Sequence, residues 1–215
     1  MNRPGAIRVF IADDHPIVRH GLRRIVEEDS GLIISGEAGD ASALLTALES
    51  AATDLVLLDV SMPGGNFLDT LKALRERYPS IKVLVLSVHP EDQWAVRALR
   101  AGAAGYLTKD HSPGQLLEAI RRVYRGGRYV SPTLAEQLAS QLDLGGQRAP
   151  HELLSDREFE VMRRLGSGLT VSQIAAELAL SAKTVSTYRT RILEKMAVES
   201  NADLVKYAAR YGLIG

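Results

Sequence analysis

The sequence predicts an α/β domain built on a doubly wound, five-stranded parallel sheet, followed by a second domain that is all helix. Three observations carry this. Short apolar runs near 7–12, 31–36, 54–59, 81–86 and 104–108 are each followed by a segment of helical periodicity. After residue 151 the strand patterns cease and helix starts recur. A stretch with the composition of a flexible linker, Gly145-Gly146-Gln147-Arg148-Ala149-Pro150, stands between the two patterns.

Each element has its own local reason. Runs such as Ile7-Arg8-Val9-Phe10-Ile11-Ala12 and Asp54-Leu55-Val56-Leu57-Leu58-Asp59 are nearly continuous in apolar residues, the pattern of strands covered on both faces. Right-handed crossovers then put helices on both sides of the sheet, with strand order 2-1-3-4-5. In the helix near 66–78, Phe67, Leu71, Leu74 and Tyr78 recur at helical spacing, and Pro79 stops it. The last helix of the domain starts at Ser112-Pro113-Gly114-Gln115, a capping box with proline at the first helical position. Gly126-Gly127 ends it. The expected boundaries are 1–125 for the first domain, 126–150 for a linker and 151–215 for the second. Within the linker, Pro132 to Leu142 reads as a short helix with Leu134, Leu138 and Leu142 on one stripe.

In the second domain, Ser155-x-x-Glu158 and Thr170-x-x-Gln173 are capping boxes, and Ser181 is a plainer cap. The helix from Val171 to about Ala179 joins the next through a turn of roughly three residues, the spacing of a helix-turn-helix. A fourth helix spans about Asn201 to Tyr211.

Composition bounds the partners. The chain has 215 residues with 46% hydrophobic and 24% charged side chains, so it can bury ordinary cores. It has no cysteine, which excludes disulfides and thiol chemistry and fits a reducing cytoplasm. No run approaches ~20 apolar residues, so no membrane span is expected. The 26 basic and 26 acidic side chains cancel. Any nucleic-acid footprint must therefore be local.

The chemistry gathers at strand ends. Asp13 and Asp14 follow the first strand and Asp59 closes the third. Three carboxylates at one edge of a parallel sheet repel unless a cation sits among them, which asks for a hard ion such as Mg²⁺. The fourth strand runs into Ser87 and the fifth, Gly105-Tyr106-Leu107-Thr108, into Lys109. Acids, a hydroxyl and an ammonium together suit a transferred phosphoryl group. Each acid alone reads as a turn residue or helix cap; the set is what points to chemistry.

In that order, Asp13-Asp14, Asp59, Ser87, Tyr106 and Lys109 resemble a bacterial response-regulator receiver domain (CheY-like) over about residues 6–125. The resemblance implies that Asp59 accepts phosphate from a phosphohistidine on a sensor histidine kinase. It implies that Asp14, Asp59 and the Ser61 carbonyl ligate Mg²⁺, with Asp13 acting through water. It also implies that Ser87 and Tyr106 form a switch, the hydroxyl moving to the phosphoryl group and the ring turning inward. Many receivers place proline after the lysine; here Asp110 follows, and a cis bond before it would cost ~3 kcal/mol.

On the third helix of the second domain, Val185, Ile192 and Met196 fall on one face and are expected in the core. Lys183, Ser186, Thr187 and Thr190 fall on another, flanked by Arg189, Arg191 and Lys195. Short hydroxylic side chains can approach base edges, and flanking cations can reach phosphates. The spaced pattern Leu154 to Val161, Gly168, Ile174-Ala175-x-x-Leu178, Ser181-x-x-Thr184-Val185, Ile192, Lys195 and Val198 resembles the LuxR/FixJ-type DNA-binding domain. Tyr188 stands where that family most often has histidine.

Together the two resemblances imply the NarL/FixJ architecture: a phosphorylation-controlled DNA-binding transcriptional regulator, homodimeric when phosphorylated, binding promoter DNA, and no enzyme. The alternative is a phosphohydrolase of the haloacid-dehalogenase kind. That chemistry wants a second aspartate two residues after the nucleophile, where this chain has Ser61.

Overall fold

The computed structural model describes residues 5–63, 66–88, 93–136 and 149–214. The chain divides into two compact units, Met1–Leu138 and Ala139–Gly215.

The first unit alternates β1 (Ile7–Ala12), α1 (Pro16–Glu27), β2 (Leu32–Ala38), α2 (Ala41–Ala47), β3 (Leu55–Asp59), α3 (Phe67–Arg77), β4 (Lys82–Ser87), α4 (Gln93–Ala101), β5 (Gly105–Thr108) and α5 (Pro113–Tyr124). All pairings are parallel and the order is β2-β1-β3-β4-β5. This is the doubly wound sheet that the sequence predicts. Val9, Ile11, Leu55, Leu57, Leu84 and Leu86 form one face of the core with Leu116, Ile120 and Val123 of α5. The Ser112 capping box is present with both its hydrogen bonds, so α5 starts where its local sequence requires.

After α5 the chain turns back through Gly126, whose φ of +87° is open to glycine at no steric cost. Tyr129 then lies against the outer edge of β5. Its N–H donates to the Ala104 carbonyl at 3.1 Å, and its carbonyl accepts from the Tyr106 N–H at 2.9 Å. Gly105 makes this approach possible, because a Cβ there would stand 2.8 Å from the Tyr129 oxygen. Residues 132–136 are helical, with Leu134 buried. The expected stripe positions Leu138 and Leu142 and the linker glycines 145–146 lie outside the described residues.

The described part of the second unit begins with a 3₁₀ turn, Pro150–Leu153, followed by α6 (Asp156–Gly166), α7 (Val171–Glu177), α8 (Ala182–Met196) and α9 (Asn201–Arg210). The capping boxes at Ser155 and Thr170 are formed, and Ser181 caps α8 through the Thr184 N–H. Phe159, Met162, Ile174, Val185, Ile192 and Leu204 are buried. His151, also buried, touches the Tyr207 hydroxyl with Nδ1 at 2.7 Å and so pins the entry turn to α9.

Candidate functional site: an acidic pocket and a hydroxylic helix face

The ends of β1, β3 and β5 bring Asp13, Asp14, Asp59 and Lys109 together. Asp13 and Asp59 are buried, at 1% and 2% exposure, and Asp14 is partly open. Lys109 Nζ donates to Asp13 Oδ2 at 2.6 Å and stands 3.0 Å from Asp59 Oδ2. Among the described residues neither oxygen of Asp59 accepts a hydrogen bond, so the ammonium satisfies Asp13 first and Asp59 only through its charge. Burial lifts the Asp59 carboxyl above its ordinary range, and the Lys109 charge pulls it down only in part. Burial pushes Lys109 the other way, yet the hydrogen bond to Asp13 and the charge of Asp59 leave it above its ordinary value.

One ligand atom from each of Asp13, Asp14, His15 and Asp59 lies within 4.8 Å of all the others. Three carboxylates form a donor set suited to a hard divalent ion. A buried carboxylate with two unsatisfied oxygens is what such an ion would relieve. His15 belongs to no motif in the sequence and is absent from the expected residues; only its place beside Asp13-Asp14 pointed to it.

The remaining expected residues surround this pocket. Ser87 ends β4 and is fully buried, and its carbonyl accepts the Lys109 N–H at 2.6 Å. Tyr106 is fully buried in β5, which lies against α4, so the ring occupies the inward position. Ser61 is exposed two residues past Asp59. The described residues contain no cis peptide, so Lys109–Asp110 is trans.

On α8, Lys183, Ser186, Thr187, Thr190, Arg191 and Lys195 are exposed, opposite the buried Val185, Ile192 and Met196. Thr184, Tyr188 and Arg189 are half-buried, and Ser181 is exposed at the helix start. The flanking cations differ in engagement. Lys195 Nζ bonds Glu158 Oε2 on α6 at 2.6 Å, and Arg189 Nε bonds Asn201 Oδ1 on α9 at 2.7 Å. Among the described residues, Lys183 and Arg191 make no ion pair. Thr187 and Thr190 donate to the carbonyls of Lys183 and Ser186, which leaves their oxygens as outward acceptors.

The comparisons with known proteins agree with both halves. Residues 9–121 match the response regulator receiver domain, and residues 152–208 match the bacterial regulatory proteins of the luxR family. Response regulator GacA of Pseudomonas viridiflava is 39% identical over 209 residues, covering 97% of this chain and 98% of that protein. Response regulator UvrY of Escherichia coli (strain K12) is 37% identical over 208 residues, covering 96% and 95%. RcsB from Salmonella enterica serovar Typhimurium, bound to promoter rprA in the presence of phosphomimetic BeF3−, superposes with a TM-score of 0.70 at 28% identity, covering 95% of this chain and 98% of that chain. With a receiver at one end, a LuxR-type helix-turn-helix at the other, and relatives matched along nearly their whole length, the chain belongs to the NarL/FixJ-class response regulators, phosphorylation-dependent transcriptional regulators of two-component systems.

Proposed function

We propose that Asp59 is the phosphoacceptor of this regulator and that its phosphorylation governs how α8 engages promoter DNA. The pocket joining Asp13, Asp14, Asp59 and Lys109 carries the reading. An Asp59 oxygen attacks the phosphorus of a phosphohistidine on a sensor histidine kinase; the P–N bond breaks, the imidazole leaves, and an acyl phosphate remains. Asp13, Asp14, Asp59 and the Ser61 carbonyl would hold Mg²⁺, which when bound offsets charge on the phosphoryl oxygens. Lys109 supplies a cation on the opposite side. Ser87 donates its hydroxyl to a phosphoryl oxygen, and the buried Tyr106 fills the space behind it, a two-state element biased by the added charge.

Ser186, Thr187 and Thr190 face base edges, while Lys183 and Arg191 take phosphates. Ser181 and Thr184 set the start of α8 against the backbone, where Tyr188 adds a hydroxyl. Arg189 and Lys195 hold the helix in register through Asn201 and Glu158. A homodimer would present two such helices about one turn, roughly 10 base pairs, apart. In this reading the chain receives one phosphate rather than turning over substrate, and it works in the cytoplasm, where a kinase's phosphohistidine and promoter DNA are both met.

Incubating the protein with a small phosphodonor and Mg²⁺, then reading intact mass and promoter affinity, tests the proposal. Wild type gains one phosphoryl group and binds promoter DNA more tightly. Unchanged mass, or a mass gain without change in affinity, overturns it.

A further inference from the structure

We propose that His15 is a fourth metal-coordinating side chain, and that it opens the acidic pocket to divalent ions that favour imidazole nitrogen, such as Co²⁺ and Zn²⁺, beside the oxygen-seeking Mg²⁺. This rests on reading the pocket as a cation site.

Four observations support it. The imidazole Nδ1 is 2.6 Å from Asp14 Oδ1 and 3.6 Å from Asp13 Oδ1. The closer contact is an ion-pair distance outside hydrogen-bonding geometry: among the described residues Asp14 Oδ1, a buried atom, accepts no hydrogen bond. A nitrogen and a carboxylate oxygen this close must share a proton or a cation, so the ring stands where it can join the carboxylates on an ion once its Nδ1 is unprotonated. The pocket itself asks for one independently of His15, because among the described residues neither buried oxygen of Asp59 accepts a hydrogen bond and only Oδ2 has a cation, Lys109, beside it. Three carboxylates against the single Lys109 ammonium leave two negative charges, the charge of a divalent ion.

The backbone holds the ring in place. The His15 N–H donates to Asp13 Oδ1 at 2.8 Å, and His15 is the cap residue of α1 at φ −90° and ψ 111°. Pro16 behind it disfavours the helical alternative. The side chain is open to solvent, so an ion reaches it without any opening of the fold. Adding one neutral nitrogen to an all-oxygen set changes selectivity more than charge: later first-row ions gain from imidazole, and Mg²⁺ gains little.

The test uses the full chain at one fixed pH, titrating Mg²⁺ and Co²⁺ separately into wild type, His15→Ala and Asp14→Asn by calorimetry. Proton NMR of the Co²⁺-loaded protein supplies a second readout. His15→Ala should lose about 10–100-fold in Co²⁺ affinity while Mg²⁺ affinity stays within about threefold. Wild type alone should show hyperfine-shifted imidazole resonances. If the Co²⁺-to-Mg²⁺ affinity ratio is the same in His15→Ala as in wild type, with no shifted ring signals, the ligand role of His15 is refuted while the cation site stands. If Mg²⁺ fails to bind wild type, or binds Asp14→Asn as tightly, the cation site falls and the His15 proposal with it.

Discussion

Lys109 reaches across the sheet edge to within 3.0 Å of Asp59, yet its short hydrogen bond goes to Asp13. The acceptor carboxylate is thus kept close to a cation without being consumed by it. Replacing Lys109 by Ala is expected to leave some phosphorylation and to uncouple it from output. Phosphorylated Lys109→Ala gaining promoter affinity as wild type does would contradict this.

The same arrangement gives Asp59→Asn two signatures. Phosphoryl uptake from a small donor should vanish, because an amide is no anionic nucleophile; chelation of Mg²⁺ should also prevent it in wild type. Stability should change too. Burial raises the folded pKa of Asp59, so its contribution to stability is full below the unfolded value of ~3.9 and is lost as pH rises through the folded value. At pH 7 the charged form is the strained one, so Asp59→Asn should melt higher than wild type. The gap should close as pH falls towards ~4. Identical melting temperatures at pH 7 would contradict the assignment of strain.

Glu158 behaves in the opposite sense. Burial raises its pKa, but Lys195 and the Ser155 N–H more than offset that, leaving it below the usual range. Its stabilisation is present above the unfolded value of ~4.3 and is lost as pH falls through the folded value. Lys195→Met should therefore cost ~1–3 kcal/mol at pH 7 by leaving a buried carboxylate unmatched. Denaturant unfolding at pH 7 and at acid pH should show that cost shrinking with protonation. A cost that persists in acid would point to packing instead.

Contacts along α8 separate by type. Alanine at Ser186, Thr187 or Thr190 should cost ~1–3 kcal/mol per lost base contact and relax preference at particular base pairs. Alanine at Lys183 or Arg191 should weaken cognate and scrambled duplexes alike and flatten the salt slope of log K by about one unit. Titrations over a range of salt distinguish these. Base preference altered by the cations and untouched by the hydroxyl set would mean the helix is rotated relative to this assignment.

Two alanines sit in the left-handed region, Ala179 (φ 53°) in the turn between α7 and α8 and Ala197 (φ 52°) after α8. A side chain there is strained, and both residues are exposed. Ala179→Gly and Ala197→Gly should each stabilise the domain by ~0.5–1 kcal/mol, read from urea midpoints. Destabilisation by either would show that chain entropy outweighs the relieved strain.

What was legible in the sequence was local or periodic. The boxes at Ser112, Ser155 and Thr170 appear where their spacing puts them, because a cap involves residues three apart. Helices on both faces followed from crossover handedness, the order 2-1-3-4-5 from the flavodoxin-like form of such sheets, and the acidic pocket from acids placed at strand ends. Long-range pairings of single side chains were not legible. Glu158 is visible as a capping residue, but its bond to Lys195 spans 37 residues. Arg189 carries no sign of Asn201. His15 acquires meaning only when β3 brings Asp59 alongside it. Tyr129 follows a glycine pair and carries no strand pattern, yet its backbone completes an edge.

That edge has a practical side for recombination between regulators. A chimera joined immediately after α5 would discard Tyr129 and bare the outer N–H and C=O groups of β5, an invitation to pairing with a second chain. Gly105, small to admit its own chain's Tyr129, would then admit a stranger's backbone instead. A functional exchange of output domains must therefore carry the residues through Tyr129 with the receiver, so that the unit inherited intact is longer than its last sheet-packed helix.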